Sequence, residues 1–468
     1  MVRHIVFRLA ILGSCLCGCA TGLDGTQPDD SAGKAKVHPS VEARLGRRIA
    51  DHEARIAPLS AQLNETYWAA MTDGAAKAYG RVTELEQLIR DQYADPQAYA
   101  ALQGLQASGK VEAPRLRRQL EMLLALYREN QTPAGLREDL VRRALALEEV
   151  HARIPWQADA EVIGVLMSEP DGEIRKAAWE KAMQRGAKVR DGLLELVKLR
   201  NRAARALGYA DYYQMRLRLE GLDPAWLETL ADRVARETRA PFAATADRIR
   251  RRLAQRFGIA AEDVRPWHYE DLYFQRVPVS VGVDLDPLFE AHSPEVLART
   301  SFQRLGWSPA DVLAHSDLQL REGKPATAFC LDVDRSGDVR ILASLQPGLR
   351  SSAILLHELG HAFFFSHLPS SLPWLLRQPA SEALGEAVAL LFADLTRDEE
   401  WLTEVLGVPA RRLDIRRADL RQQRRDELLV YVRFCLLMIH FERELYRDPD
   451  QDLVELWWRL RARYQLMA

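Results

Sequence analysis

Cysteine is scarce in this chain, with 5 in 468 residues, and 3 of them (Cys15, Cys17 and Cys19) crowd the first nineteen positions. A disulfide-stapled scaffold is therefore excluded as the main source of stability. The two others, Cys330 and Cys435, lie in apolar settings (AFCLDV and RFCLLM) and read as buried free thiols. There is no basic excess: the net charge is −2, which leaves nothing to neutralise a phosphate backbone and argues against a nucleic-acid partner. No apolar run is long enough to span a bilayer. Low-complexity tracts and fixed-period repeats are also missing beyond one short N-terminal segment. What is present is ordinary globular material, 47% hydrophobic and 28% charged, enough for a large core.

The start of the chain reads as an export leader. Arg3, His4 and Arg8 precede a short apolar stretch, Leu9 to Gly18, that ends in small residues. Leu16-Cys17-Gly18-Cys19 resembles a bacterial lipobox, which makes Cys19 the expected lipidation site and residues 1–19 a lipoprotein signal peptide. A cleaved soluble secretory signal is the competing reading. Residues 20–39 are rich in Gly, Pro, Asp and Ser, as in a flexible tether. Together these features imply a periplasm-facing envelope protein held to a membrane, the outer one, by its lipid.

From about residue 40 to 255 the apolar residues recur at helical spacing, for example Leu59, Leu63 and Tyr67, or Leu116, Leu120, Leu123 and Tyr127. Further helical segments are expected around 136–152, 173–185 and 190–207, with Gly208 as a stop signal. The pattern breaks once, at 326–347, where two β-favouring runs flank Arg335-Ser336-Gly337-Asp338 and predict a hairpin. A strand bordering a cleft could pair with an extended peptide through its main chain. Arginines at 411, 412, 416, 417, 421, 424 and 425 alternate with Asp414, Asp419 and Asp426, which predicts a solvated, ion-paired helix face.

Just after the hairpin, residues 357–361 read His-Glu-Leu-Gly-His. On a helix His357 and His361 stand one turn apart on one face, a spacing at which two imidazoles reach a single zinc ion. Glu358 lies roughly 100° round the helix, where its carboxylate can act as base toward a water at the open coordination position. Zinc lowers the pKa of such a water to about 7. The flanks are apolar on both sides (AILL and AFFF), as a buried helix requires. A third protein ligand is expected. Glu386 lies 25 residues beyond His361 and Glu382 lies 21 beyond, both on a helical stretch. As i, i+4 neighbours, one could ligate zinc while the other hydrogen-bonds a ligand imidazole. His367 and Asp394 are weaker contenders.

A pentad of this kind followed by a helical glutamate resembles the glutamate-zincin peptidases. More narrowly, the chain resembles the angiotensin-converting-enzyme family and its bacterial relatives, which share a fold with thimet oligopeptidase. In that family the third ligand opens a stretch like Glu-Ala-Ile-Gly; Glu386-Ala387-Val388-Ala389 is similar, which favours Glu386 over Glu382. LVKLRNRAARALGYADYY (196–213), PWHYEDLYFQRVP (266–278), LPWLLRQPAS (372–381) and residues 440–465 are similar to family segments, in family order. ATAFCLDV (326–333) resembles the family's substrate-pairing strand, with Ala326, Thr327 and Ala328 at its head.

The resemblance implies a mainly-α, two-lobed zincin domain over residues 40–468 with a deep channel and a small sheet beside the zinc helix. It implies one zinc per chain and short peptides as substrates, cleaved in oligopeptidase or peptidyl-dipeptidase fashion. Two departures stand out. Lys324-Pro325 occupies the place where the family often has a His. Family members also continue for roughly a hundred residues past the stretch resembling Ala462-Arg463-Tyr464-Gln465, and that part carries the basic groups, the His and the Tyr that attend the substrate. The chain therefore reads as C-terminally incomplete relative to the family. The alternative function is a catalytically impaired, metal- or peptide-binding remnant. Tyr269, Tyr273, Tyr431 and Tyr446 remain without an assigned role.

Overall fold

The structure is a computed structural model that describes residues 40–467, apart from 74–75, 153–155, 322–323, 325–326 and 415. The leader, Cys19, the tether and Ala326 lie outside the described residues.

The chain is mainly helical. A first layer comprises α1 (Val41–Asp73), α2 (Ala76–Tyr93), α3 (Pro96–Ala107), α4 (Pro114–Glu129) and α5 (Ala134–Ala152). It continues through α6 (Trp156–Ser168), α7 (Gly172–Arg185), α8 (Ala187–Ala206), α9 (Tyr212–Leu219), α10 (Pro224–Glu237) and α11 (Arg239–Phe257). Three short helices follow a long connection: α12 (Asp286–Phe289), α13 (Pro294–Arg304) and α14 (Ala310–Ala314). Then come the strands β1 (Asp317–Gln319), β2 (Phe329–Asp332) and β3 (Val339–Leu345). The last part is α15 (Leu349–Ser366), α16 (Glu382–Asp394), α17 (Glu399–Glu404), α18 (Ala410–Asp414), α19 (Arg417–Arg447) and α20 (Leu453–Gln465). None of the described helices is long and apolar enough to cross a membrane.

Local chemistry sets many of these boundaries. Asp95, Asp171, Asp211, Asp223, Asp398 and Asp452 each accept from a backbone N–H in the first turn of the helix they precede, satisfying donors that have no partner inside the helix. Proline at the first position of α3 and α10 adds a preset φ at no cost in hydrogen bonds. Gly208 ends α8 as its sequence position predicts: φ is +84°, and Tyr209 N–H reaches back to the Ala204 carbonyl at 3.0 Å.

The sheet has the order β1-β3-β2. The predicted hairpin is present, with Phe329 opposite Leu342 and Asp332 opposite Val339 in antiparallel register. Asp332 Oδ1 accepts from Arg335 N–H at 2.8 Å, and Asp334 Oδ1 from Ser336 N–H at 2.7 Å, which folds the turn. The parallel strand β1 has too short a run to signal itself in the sequence. The central strand β3 is buried through Val339, Ile341, Leu342 and Ala343, and α15 packs on it through Leu355, Leu356 and Leu359. Asn64 of α1 donates to the Asp332 and Val333 carbonyls at 3.3 and 3.0 Å, tying the first layer to the hairpin.

Two expectations are refined. Cys330 and Cys435 form no disulfide among the described residues, the second being buried and the first only half-buried on β2. The arginine-rich segment is ion-paired, as expected, and its partners include acids on other segments. Arg417 and Arg421 pair with Glu399, each at 2.9 Å, and Arg424 pairs with Asp394 and Asp398. Asp426 turns inward, where it accepts from Thr245 at 2.7 Å and pairs with Arg248. The partners of Arg417, Arg421 and Arg424 come from α16, the turn after it and α17.

Candidate metal centre

The site is built where α15 crosses α16. On α15 the His357 and His361 rings lie one turn apart, with centroids at 4.9 Å and planes at 84°. Ser381 caps α16 by accepting from Leu384 N–H at 3.3 Å, and the helix then carries Glu386 into the same space. His357 Nε2 stands 3.4 Å from Glu386 Oε2, and His361 Nε2 stands 3.6 Å from Glu386 Oε1. One donor atom from each of the three side chains lies within 4.8 Å of the others.

These distances fit zinc. Nitrogen and oxygen ligands at about 2.0–2.1 Å, tetrahedrally placed, stand roughly 3.3 Å from one another. Two imidazoles and a carboxylate form a donor set that leaves one position open for catalysis. The three side chains keep 20%, 13% and 35% of their surface, so the site is open on one side.

Close helix contact makes the geometry possible. A Cβ on Gly360 would lie 2.8 Å from Ala389 Cα and 3.0 Å from Phe392 Cδ2, so only glycine allows the crossing. Gly385, the neighbour of Glu386, likewise packs under Pro379 and next to the His361 ring. Glu358, on the buried side of α15, is 2% exposed.

The other candidates lie apart from this group. Glu382 is exposed at the first position of α16, outside the three-residue cluster. His367 caps the end of α15 with Nδ1 2.7 Å from the Phe363 carbonyl, its ring tilted against Phe363 with centroids 4.0 Å apart. Asp394 pairs with Arg424. Thr327 is exposed and Ala328 half-buried, directly ahead of β2, which forms one edge of the sheet.

Two residues near the site gain a place that the sequence did not give them. Tyr431 of α19 has its hydroxyl pushed above the ordinary tyrosine range, by burial first, then by Cys435, with the Glu386 carboxylate adding to the effect. That places a phenol within electrostatic reach of the cluster from a helix distant in sequence. Lys324, noted only as a departure, is buried beneath the sheet. Its ammonium donates to the Asp317 and Gln319 carbonyls and to Asp317 Oδ1, each at 2.9 Å, and to the Ala343 carbonyl. Burial lowers the Lys324 pKa while Asp317 opposes the shift; the same pairing, with Arg321, lowers that of Asp317.

Comparison with known proteins adds an independent observation. The sequence model of peptidase family M3 matches residues 165–287, about a quarter of the chain. The matched stretch runs from the end of α6 through α11 to α12 and does not include the metal cluster. It contains the segments at 196–213 and 266–278 singled out in the sequence. No curated protein matches the chain. The family match supports peptide hydrolysis by a metallopeptidase, and the cluster lies outside the matched residues.

Proposed function

We propose that this protein is a zinc peptidase of short peptides, of the angiotensin-converting-enzyme-like group. The observation that carries the reading is the approach of His357, His361 and Glu386 to zinc-ligand spacing, together with the match to peptidase family M3. A bound zinc ion would supply a Lewis acid for a peptide carbonyl and a means of ionising water at neutral pH. His357, His361 and Glu386 would hold it.

The chain's own residues do the rest. Glu358 takes the proton of the attacking water on its carboxylate and hands it to the departing amine nitrogen. The edge of β2, entered through Thr327 and Ala328, pairs with the extended substrate by main-chain hydrogen bonds. Tyr431 of α19, whose hydroxyl feels the Glu386 carboxylate, is the phenol we assign to donate to the developing oxyanion. Cys19 carries the lipid that holds the protein on the periplasmic face of a membrane.

Glu358→Gln is the decisive test. It keeps the shape and the metal ligands but removes the base. Purified wild type should contain about one zinc per chain and cleave a fluorogenic oligopeptide. The variant should keep its zinc and lose turnover by roughly 10²–10⁴-fold. Undiminished turnover in the variant rejects the mechanism.

A further inference from the structure

A second cavity lies away from the metal cluster, enclosed by α1, α2, α4, α5, α8 and α9. Its volume is about 310 Å³, at the lower end of the range for small-molecule sites. Arg335 of the hairpin turn and Trp374, Leu375 and Gln378 close it.

The polar groups on its wall have capacity that the fold leaves unused. Thr132 is 3% exposed and its hydroxyl has no hydrogen-bond partner. Asn130 is 4% exposed; its amide nitrogen donates to the Leu126 carbonyl at 2.8 Å, while its Oδ1 has no partner. Arg200 is 5% exposed, donates one N–H to the Tyr446 hydroxyl at 2.9 Å and stacks over Tyr212. It forms no ion pair among the described residues. The two carboxylates on the wall are already matched: Glu86 pairs with Arg90 at 2.9 Å, and Glu129 with Arg216 at 3.2 Å. The rest of the wall mixes Ser60, Arg90, Tyr93, Arg137 and Tyr212 with apolar side chains at Ile56, Leu63, Ile89, Leu126, Leu140 and Val141.

Buried polar atoms are normally satisfied, and two unsatisfied ones, Thr132 Oγ1 and Asn130 Oδ1, on the wall of a single void beside a guanidinium point to an occupant. A guanidinium with donors to spare matches a carboxylate. The threonine hydroxyl adds a donor to it, and Asn130 Oδ1 accepts from an N–H. The apolar part of the wall takes an aliphatic side chain.

We propose that this cavity binds a small apolar carboxylate carrying an N–H group, of the class of an aliphatic amino acid or dipeptide. Such molecules are what peptide hydrolysis releases. The identification of the ligand as a product rests on the function proposed above; the binding does not. Trp374, Leu375 and Gln378 on the cavity's wall belong to the segment joining the helix of His361 to the helix of Glu386.

The test is calorimetric titration of the full chain with leucyl-alanine. One saturable site is expected. Leucyl-alanine amide should bind about tenfold or more weakly, since it lacks the charge that Arg200 recognises. Thr132→Val should weaken the dipeptide by a similar factor, and Ala144→Phe, which fills the void, should abolish binding. His361→Ala should leave it intact. Absence of saturable binding at millimolar dipeptide overturns the proposal. So does binding that is equal for acid and amide and unmoved by Thr132→Val, or binding lost in His361→Ala. Because no arm requires turnover, a failure here is distinct from a failure of the peptidase reading.

Discussion

Gly360 and Ala389 meet where α15 crosses α16, and the space between them does not hold one more methyl group. Ala389 follows Glu386 by three residues, so this contact sets how far the carboxylate reaches toward the two imidazoles. In an exposed helix, Gly→Ala adds about 1 kcal/mol of stability. Here the sign should reverse. Gly360→Ala is expected to cost roughly 1–3 kcal/mol, the range for overpacking, and to weaken zinc binding by moving Glu386 outward. Thermal melting with and without zinc checks both effects; a more stable variant with unchanged zinc affinity contradicts the account.

The parts of this protein legible in the sequence are those with local signals. Helices announced themselves by apolar period and by the stop at Gly208, and the hairpin by its turn residues. The histidine pair was fixed by a one-turn spacing; the next helix offered both Glu382 and Glu386, and only the resemblance of Glu386-Ala387-Val388-Ala389 to a family segment favoured Glu386. What could not be seen arrives from a distance. The three residues of β1 carry no pattern, because their pairing to β3 is set by burial of the central strand. Lys324 read as an absence, since nothing local shows that its ammonium will find the carbonyls of two strands. Tyr431 comes to the cluster only through the path of a 31-residue helix. The arginine face found acids on other segments, because proximity in space outweighs proximity in chain.

Ligand assignment can be separated from mere proximity by linkage. A metal that binds only the folded state raises stability by about 4 kcal/mol at a thousandfold excess over its Kd. The wild type should therefore show a zinc-dependent rise in Tm that chelation reverses. His357→Ala, His361→Ala and Glu386→Ala should each lose most of that rise, whereas Glu382→Ala should keep it. If the Glu382 and Glu386 variants exchange these behaviours, the third ligand has been misassigned.

Lys324 gives a second structural prediction. Its ammonium holds β1 and β3 and the loop that leads into the edge strand β2. Lys324→Met keeps the aliphatic length but leaves the Gln319 and Ala343 carbonyls without this donor. Hydrogen bonds to a charged group contribute roughly 1.5–3 kcal/mol each, so a loss of about 2–4 kcal/mol is expected. If the loop presents the peptide-pairing strand, KM should rise more than kcat falls. A variant as stable as the wild type removes the clamp from the argument.

The last prediction concerns pH, and it follows from Glu442 on α19. This carboxyl is 5% exposed, its Oε1 has no partner, and its pKa is pushed up to about 8, first by burial, against the opposing charge of Arg200 and with the help of Glu220. In the unfolded chain an ordinary glutamate titrates near 4.5. Between those two values the folded protein holds a proton that the unfolded chain has released, so this group's contribution is fully present below about 4.5 and is lost as pH rises through about 8. Three buried histidines act in the other direction: His52, His268 and His440 all have pKa values lowered to about 4, chiefly by burial. Their contribution is present above the unfolded value of 6.5 and is lost as pH falls toward about 4. The Glu442 effect is isolated by comparing melting of the wild type and Glu442→Gln across pH 5 to 9, a window chosen from these values. The variant should gain on the wild type steadily as pH rises, and the gain should level off above about 8. A difference in Tm that does not change with pH means that Glu442 ionises alike in both states.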